Sequence, residues 1–305
     1  MGKIAFVFSG QGAQYPGMGR SFYEQSKTVR ELFDRAEEYR RGTLEQCFAG
    51  DPETLKSTKN TQPCLYLACL AAAITLTEHG IVPEAVAGFS LGEIPALSFS
   101  KAFSYFEGFK IACRRGEIMN EAAEKVRASM MAVLRLENSL VEELCRKYKN
   151  VFPVNYNSPG QLVVAGLSDE LELFKRDVHD AGGKTMMLSV GGAFHSPLMN
   201  EAARTFEKYL RTVNIRKPEL PAYSNVTARP YEGDVKSLLA NQINHPVKWD
   251  LIITNMVSDG FDVFIETGAG NVLQKLIKRI APQVSAYSVD SMDGAMTVLK
   301  ELKSA

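Results

Sequence analysis

A serine lies between two glycines where a buried strand is predicted to run into a helix, and this motif restricts the fold more than any other. Residues 88–92 read GFSLG and follow the apolar run at residues 85–87. A residue at such a turn needs a sharp backbone conformation, and glycine neighbours leave room for it. The turn would place the Ser90 hydroxyl beside free helix N–H groups, which stabilise a developing oxyanion. Gly-x-Ser-x-Gly alone occurs by chance in about one chain in ten of this length, so the rest of the sequence must decide its role.

Strands alternate with helices on both sides of this motif. Apolar strands are predicted over residues 4–8 and 263–266, and helices over residues 26–39, 63–78 and 105–124. This alternation favours an α/β fold, with a hydrolase-like core built on a mainly parallel sheet.

From about residue 126 the pattern changes to strand, helix, strand, strand, helix, strand. The predicted elements lie at residues 129–134, 139–148, 151–155, 162–165, 169–181 and 184–189. This β-α-β-β-α-β order is the ferredoxin-like unit. We therefore predict an inserted ferredoxin-like α+β subdomain at residues 126–192 and an α/β hydrolase-like core domain formed by residues 1–125 plus 193–305.

Composition excludes several classes of function. The chain has 305 residues, with 35 Lys+Arg and 35 Asp+Glu, so no net charge attracts it to nucleic acid or an anionic membrane. No apolar run reaches the ~18 residues that span a bilayer. The five cysteines show neither CxxC nor metal-site spacing, which indicates free thiols in a reducing compartment. We expect a cytoplasmic protein without a metal site.

A serine nucleophile needs a base, and the sequence has four histidines. His79 ends a predicted helix, where a cation suits the dipole. His179 is predicted on a solvated helix face, and His245 precedes a proline in a turn. His195 lies in the glycine-containing stretch at residues 191–197, where the two predicted domains join. Chemistry alone leaves His195 either as the base or as a helix-capping residue.

Six motifs resemble, in order and spacing, those of malonyl-CoA:acyl carrier protein transacylases. They are residues 9–12 with 17–19, residues 61–63, residues 88–93, residues 115–119, residues 155–161 and residues 192–197. The resemblance extends from about residue 4 to residue 270. It implies a ping-pong reaction in which the malonyl group of malonyl-CoA passes through Ser90 to the phosphopantetheine thiol of acyl carrier protein.

The resemblance also assigns the catalytic residues. Ser90 would attack the thioester carbonyl, with His195 as base and then as acid toward the leaving thiol. The backbone N–H groups of Leu91 and Gln11 would hold the oxyanion, which explains the glycine-rich loop after the first strand. In the family a backbone carbonyl orients the histidine, and we assign this carbonyl to Asn244.

Substrate-binding residues follow from the same resemblance. Arg115 would clamp the malonyl carboxylate, although a solvated arginine beside Arg114 is the ordinary interpretation. Phe194 would pack at the acyl α-carbon and disfavour branched acyl groups, or it is a plain core residue. The other predicted substrate-binding residues are Met119, Gln62, Asn157 and Gln161, and the amides of the last three could instead simply cap turns.

Partner predictions depend on charge. Carrier proteins of this type are acidic, so a neutral enzyme needs a local basic patch. Lys275, Lys278 and Arg279 are candidates, although such a run on a helix is usually solvated surface. We expect a monomer that uses a coenzyme A thioester and acyl carrier protein, binds neither nucleic acid nor membrane, and holds no cofactor, because phosphopantetheine is carried by the partner.

Three positions depart from the family pattern. Phe89 replaces the usual histidine, Pro95 is predicted inside a helix that it would kink, and Lys101 replaces a frequent glycine. These differences favour a divergent member, such as one that serves a polyketide assembly line.

Other functions stay open from the sequence. Within the family they are a trans-acting polyketide synthase acyltransferase and an acyl hydrolase, since hydrolysis needs only that water reaches the acyl-enzyme. An α/β-hydrolase esterase shares the serine turn but expects an acid between serine and histidine. A catalytically silent carrier-binding module is disfavoured by the intact Ser90, His195 and Gln11.

Overall fold

The computed structural model describes residues 2–304, which form two separate sheets covered by helices. Sheet A contains β1 (Lys3–Phe8), β2 (Ala85–Gly88), β7 (Ala222–Tyr223), β8 (Phe261–Thr267) and β9 (Ser285–Val289). Sheet B contains β3 (Ala128–Leu134), β4 (Val151–Ser158), β5 (Gln161–Leu167) and β6 (Lys184–Met187).

The two sheets differ in strand direction. Sheet A has the order β7-β2-β1-β8-β9, and all its strand pairs are parallel. Sheet B has the order β4-β5-β3-β6, and its pairs are antiparallel. This is the strand order of a ferredoxin-like unit, so the predicted fold class is confirmed. The domain boundaries at residues 126 and 192 stay a prediction.

Fourteen helices are found within residues 2–304. They are α1 (Arg20–Gln25), α2 (Lys27–Tyr39), α3 (Thr43–Ala49), α4 (Pro52–Lys56), α5 (Thr58–Glu78), α6 (Glu93–Phe99), α7 (Tyr105–Glu124), α8 (Asn138–Cys145), α9 (Ser168–Asp180), α10 (Asn200–Thr212), α11 (Val235–Asn241), α12 (Trp249–Ser258), α13 (Val272–Ile280) and α14 (Met292–Ser304). Helices α8 and α9 pack on sheet B. Across residues 2–304, no helix combines the length and the hydropathy that a bilayer span demands.

Parallel pairing brings the C-terminal ends of the central strands to one edge of sheet A. Phe8, the last residue of β1, lies in register with Gly88 of β2 and Thr267 of β8. The segments that leave these three strands therefore begin side by side, and in parallel α/β sheets such an edge is where ligands bind.

Helix α5 is the centre of the main core. It is buried over most of its length, packs on α7 and begins at Thr58, five residues before the predicted start at Pro63. An apolar surface on every side is typical of a helix enclosed by other elements. The five cysteines are buried free thiols, as expected.

Two unusual residues after the serine motif have local explanations. Pro95 is the third residue of α6, because the chain leaves Ser90 in a short 3₁₀ turn and α6 begins only at Glu93. The expected loss of an interior helix hydrogen bond was therefore wrong, since a proline is tolerated in the first turn. Lys101 has a φ of 63°, which is the left-handed conformation that glycine adopts most easily.

Candidate active site

The turn between β2 and α6 holds Ser90 in a strained conformation. Its φ is 52°, in the left-handed region. A Cβ at Gly88 would lie 1.9 Å from backbone atoms of Gly92, and a Cβ at Gly92 would lie 2.1 Å from the Phe8 carbonyl oxygen. Asn225 holds the turn, because its Oδ1 accepts from the Ser90 N–H at 2.7 Å and its Nδ2 donates to the Gly88 carbonyl at 2.6 Å. Both glycines are thus required by close backbone contacts.

The His195 imidazole contacts the serine directly. Its Nε2 lies 2.7 Å from Ser90 Oγ, and its Nδ1 lies 2.8 Å from the backbone carbonyl of Gln242. Because a carbonyl can only accept, Nδ1 carries the proton and Nε2 is free to take one from the serine. The residue itself has a φ of 63° and is 4% exposed.

The carbonyl that orients this ring was assigned wrongly from the sequence. It belongs to Gln242, immediately after α11, and not to Asn244. The Asn244 side chain instead donates to Asn200 Oδ1 at 2.7 Å on the surface. A backbone acceptor has no side-chain signature, so its position depends on where the helix ends.

His195 is held in its basic form by its surroundings. Burial lowers the pKa of His195 to about 3, and the positive charge of Arg115 acts in the same direction. The Gln242 carbonyl opposes this shift without overcoming it. The imidazole is therefore neutral at physiological pH, as a general base must be.

Arg115 brings a buried cation to the same point. It is 0% exposed, and its Nη2 donates to Ser90 Oγ at 3.3 Å and to Gln242 Oε1 at 2.6 Å. Its Nη1 donates to Gln62 Oε1 at 2.9 Å, while its Nε has no partner within residues 2–304. Burial lowers the pKa of Arg115 to about 10. A buried guanidinium that contacts only neutral acceptors is prepared to receive an anion.

Gln242 links these groups, and sequence reasoning missed it. Besides accepting from Arg115, its amide nitrogen donates to the Ser90 carbonyl and to Glu93 Oε2. Glu93 also accepts from the Tyr231 hydroxyl at 2.6 Å. Burial raises the pKa of Glu93 to about 7 despite these donors. A glutamine at the end of a helix is too common a feature to single out Gln242 from the sequence.

The segment after β1 supplies the second predicted oxyanion donor. We call residues 9–12 the oxyanion loop. A Cβ at Gly10 would lie 2.5 Å from the Phe89 carbonyl oxygen, so the loop lies against the serine turn. In the part of the chain that the structure describes, the backbone N–H groups of Gln11 and Leu91 donate no hydrogen bond. Both remain free for an oxyanion, which keeps their predicted role open.

A cavity of about 320 Å³ separates the oxyanion loop and α13 from sheet B. Asn155 and Asn157 line it, each 8% exposed, and neither side-chain oxygen has a hydrogen-bond partner within residues 2–304. Gln161 also lines it and accepts from Arg279 Nη1 at 2.8 Å. Buried polar atoms are usually paired, so the unpaired oxygens indicate a ligand that donates hydrogen bonds.

The remaining predicted residues surround this centre. Met119 Sδ accepts from Gln62 Nε2 at 3.4 Å and thereby supports the amide that contacts Arg115. Phe194 is 4% exposed in the main core beside His195, which suits both interpretations of that residue. Phe89 lines the cavity and packs edge-on against Trp249 at 5.6 Å between ring centroids.

Known proteins are similar to this chain in sequence and architecture. Residues 5–298 match the family described as the acyl transferase domain. Malonyl CoA-acyl carrier protein transacylase of Bacillus subtilis (strain 168) is 35% identical over an alignment 312 positions long, covering 99% of this chain and 98% of that protein.

Solved structures agree. The crystal structure of malonyl CoA-acyl carrier protein transacylase from Clostridium perfringens is similar with a TM-score of 0.95 and 33% identity, covering 99% of this chain and 98% of that chain. A malonyl-transacylase solved in complex with its type II PKS acyl-carrier protein is similar with a TM-score of 0.94 and 29% identity, covering 98% of this chain and 99% of that chain.

Proposed function

Because this chain belongs to the acyl transferase family, we propose that it transfers the malonyl group of malonyl-CoA to the phosphopantetheine thiol of an acyl carrier protein. One observation carries the proposal. The Ser90 hydroxyl lies 2.7 Å from the His195 imidazole and 3.3 Å from the Arg115 guanidinium. A nucleophile, its base and a fixed cation for a carboxylate thus meet at one point.

The first half-reaction forms a malonyl ester on the serine. His195 Nε2 takes the Ser90 proton while Oγ attacks the thioester carbonyl, and the N–H groups of Gln11 and Leu91 stabilise the oxyanion. The carbon–sulfur bond then breaks, and His195 returns the proton to the coenzyme A thiolate. Coenzyme A leaves before the carrier protein enters, which makes the reaction ping-pong.

The second half-reaction reverses these steps with a different thiol. His195 takes the proton of the phosphopantetheine thiol, whose sulfur attacks the malonyl ester. The Ser90–acyl bond breaks, and the serine oxygen recovers the proton from the imidazole. Protein groups make every proton transfer, so the proposal includes no resident cofactor.

Arg115 provides the preference for malonate. Its direct partners are neutral amide oxygens on Gln62 and Gln242, together with the serine hydroxyl. A malonyl carboxylate can pair with the guanidinium fork, including the unpaired Nε, in bidentate geometry. An acetyl group leaves that buried charge unpaired, which is costly.

The cavity beside sheet B suits the phosphopantetheine arm. That arm carries two amide N–H donors and apolar segments between them. The unpaired oxygens of Asn155 and Asn157 could accept from these donors, while the walls between them include Val163, Leu188 and Leu276. The same cavity serves both half-reactions, because coenzyme A and the carrier protein present the same arm.

Helix α13 is the proposed carrier-facing surface. Lys275, Lys278 and Arg279 are exposed on it, and Arg279 reaches Gln161 at the cavity lining. A local positive surface next to the arm's entrance complements an acidic carrier protein. The buried free thiols support a reducing, cytoplasmic location.

Labelled malonyl-CoA tests the proposal. The protein is incubated with it, with and without a phosphopantetheinylated carrier protein of the fatty acid or the polyketide type. We expect a malonyl adduct on Ser90, found by peptide mass spectrometry, and its passage to the carrier. Ser90→Ala is the control and should carry no adduct. Release of free malonate at the rate of acylation would indicate a hydrolase, and the absence of any Ser90 adduct would overturn the proposal.

A further inference from the structure

Glu266 is a buried carboxylate that takes no part in the proposed proton transfers, and it lies at the lining of the cavity beside the oxyanion loop and α13. It is 1% exposed, next to the last residue of β8, and it forms no ion pair with Lys or Arg within residues 2–304. Burial raises the pKa of Glu266 to about 7, and Asp290 adds to this shift. A carboxylate without a cation in such a place is costly to bury unless hydrogen-bond donors surround it.

Its two oxygens hold two different segments. Oε1 accepts from Ser9 Oγ at 3.1 Å, and Oε2 accepts from the backbone N–H of Gln274 at 2.8 Å. Ser9 is the first residue of the oxyanion loop, whereas Gln274 lies in the first turn of α13. One side chain therefore joins the loop that carries the Gln11 N–H to the helix that carries the basic residues.

The contact with Ser9 is closely constrained. The Ser9 N–H donates to the Thr267 carbonyl at 3.2 Å, and Ser9 Oγ lies 3.2 Å from the Ala269 carbonyl. Gly268 has a φ of 135°, and a Cβ there would lie 2.8 Å from Ser9 Oγ. The turn after β8 thus fits around Ser9, and a shift of Glu266 would be transmitted to the loop.

The contact with α13 replaces an ordinary cap. Asn271, which precedes the helix, makes no side-chain cap hydrogen bond. The first N–H groups of a helix need an acceptor and favour negative charge. Glu266 supplies that acceptor from the neighbouring strand, so the start of α13 is fixed to sheet A.

We propose that Glu266 is a positioning residue that holds the oxyanion loop, through Ser9, and the carrier-facing helix α13, through Gln274, in one fixed relation. The roles of the loop and of α13 rest on the proposed function, whereas the two contacts do not. The consequence is that the Gln11 N–H stays at the acyl carbonyl while the carrier binds.

A double-mutant cycle tests the path through Ser9. Loss of a whole oxyanion donor costs about 10²–10³ in rate. We expect Glu266→Ala and Ser9→Ala each to lower kcat for Ser90 acylation about tenfold, the effect of a displaced donor. Ser9, unlike Glu266, does not line the cavity, so Ser9→Ala should leave KM for malonyl-CoA unchanged. The double variant should be no slower than either single variant, because both act along one path. Additive losses, or a change confined to KM, would overturn the inference.

Glu266→Gln is the conservative rescue. Its amide oxygen can accept from Gln274, and its NH2 group can donate to Ser9 Oγ, whose own proton can turn to the Ala269 carbonyl. We expect kcat within threefold of the wild-type value. A loss as large as that of Glu266→Ala would show that the charge, and not the two contacts, is what matters.

Hydrogen exchange tests the coupling without any assay of activity. Glu266→Ala should speed amide exchange in the oxyanion loop and in the first turn of α13, whereas Ser9→Ala should speed it in the loop alone. Asp262→Ala, an exposed carboxylate on the same strand, is the control and should change neither. Unchanged exchange in the loop of Glu266→Ala overturns the inference. If the variants show the expected exchange pattern but the wild-type protein transfers no malonyl group, the proposed function alone is overturned.

Discussion

The catalytic residues on the sheet A side, which we call the first wall, and the sheet B side of the cavity, which we call the second wall, satisfy their buried polar groups in different ways. On the sheet A side, Ser90, His195 and Arg115 contact one another and share Gln242 as a partner. On the sheet B side, Asn157, like Asn155, has a side-chain oxygen without a partner in the described chain. Because buried polar groups are normally paired, the first wall is paired in the free protein except at Arg115 Nε, the atom left for a carboxylate, whereas the second wall has two unpaired acceptors for a ligand to complete. The first wall should therefore govern kcat and the second KM.

Removal of the base should have the largest effect. His195→Ala should slow acylation of Ser90 by about 10⁴-fold, because within residues 2–304 no other group contacts the hydroxyl as an acceptor. Binding of malonyl-CoA should change little. Quenched-flow mixing followed by mass spectrometry of the intact protein measures the rate. His245→Ala removes an exposed histidine that contacts the Asn241 carbonyl and is the control. A residual rate within tenfold of wild type would mean that the first wall does not set kcat.

The pH dependence of stability tests the same residue. The pKa of His195 is lowered from 6.5 to about 3 by burial and by Arg115. Between these values the unfolded chain binds a proton that the folded protein does not, so the contribution of His195 to stability is present above pH 6.5 and is lost as the pH falls. In urea unfolding, the free energy of unfolding of His195→Ala should therefore rise relative to that of wild type by at most about 3 kcal/mol as the pH falls from 6.5 to about 4. Parallel stability curves would contradict the shifted pKa.

Arg115→Ala should separate the two thioester substrates. We expect kcat/KM for malonyl-CoA to fall about 100-fold, the size expected from loss of a charge-assisted bidentate contact. Acetyl-CoA should be used as well as before or better, because the buried charge no longer opposes it. Arg114→Ala, which loses an exposed pair with Glu117, is the matched control and should alter neither value. A variant that still strongly prefers malonyl would remove Arg115 from the acyl site.

The first wall was largely predictable from the sequence because its reactive side chains lie in local motifs. The glycines around Ser90 and before His195 mark turns that only particular backbones can make. The contacts that fix these side chains were not predictable. Gln242 and Asn225 reach the serine turn from more than 130 residues away, and a backbone carbonyl leaves no trace in the residue type.

The fold, too, was only partly predictable from the sequence. The change from parallel to antiparallel elements near residue 126 is visible in the spacing of strands and helices. The strand β9 (Ser285–Val289) was missed, because it is short, lies at the edge of sheet A and is only partly buried. Its pattern lacks the continuous apolar run by which a central parallel strand is recognised.

The exposed basic residues of α13, beside the cavity, should affect binding of the carrier protein through their charge. We expect Lys275→Glu combined with Lys278→Glu to raise KM for the carrier protein about tenfold at low salt, an effect that screening reduces at high salt. KM for malonyl-CoA should not change, and the contact of Arg279 with Gln161 remains. Lys300→Glu, which reverses the charge of one exposed residue on α14, is the control. An unchanged carrier KM would place the docking surface elsewhere and leave both walls as described.

The smallest expected effect is the one most specific to the second wall. Asn157→Leu removes an unpaired buried acceptor, so the free protein should gain about 1 kcal/mol of stability, while KM for malonyl-CoA should rise a few-fold with kcat unchanged. Asn138→Leu removes another unpaired oxygen outside the cavity and should leave KM as it is. Urea unfolding and steady-state kinetics measure the two quantities. A stability gain with weaker binding is the result expected when a ligand completes the wall. A loss of both would mean that Asn157 supports the fold, and the contrast between the walls would fail.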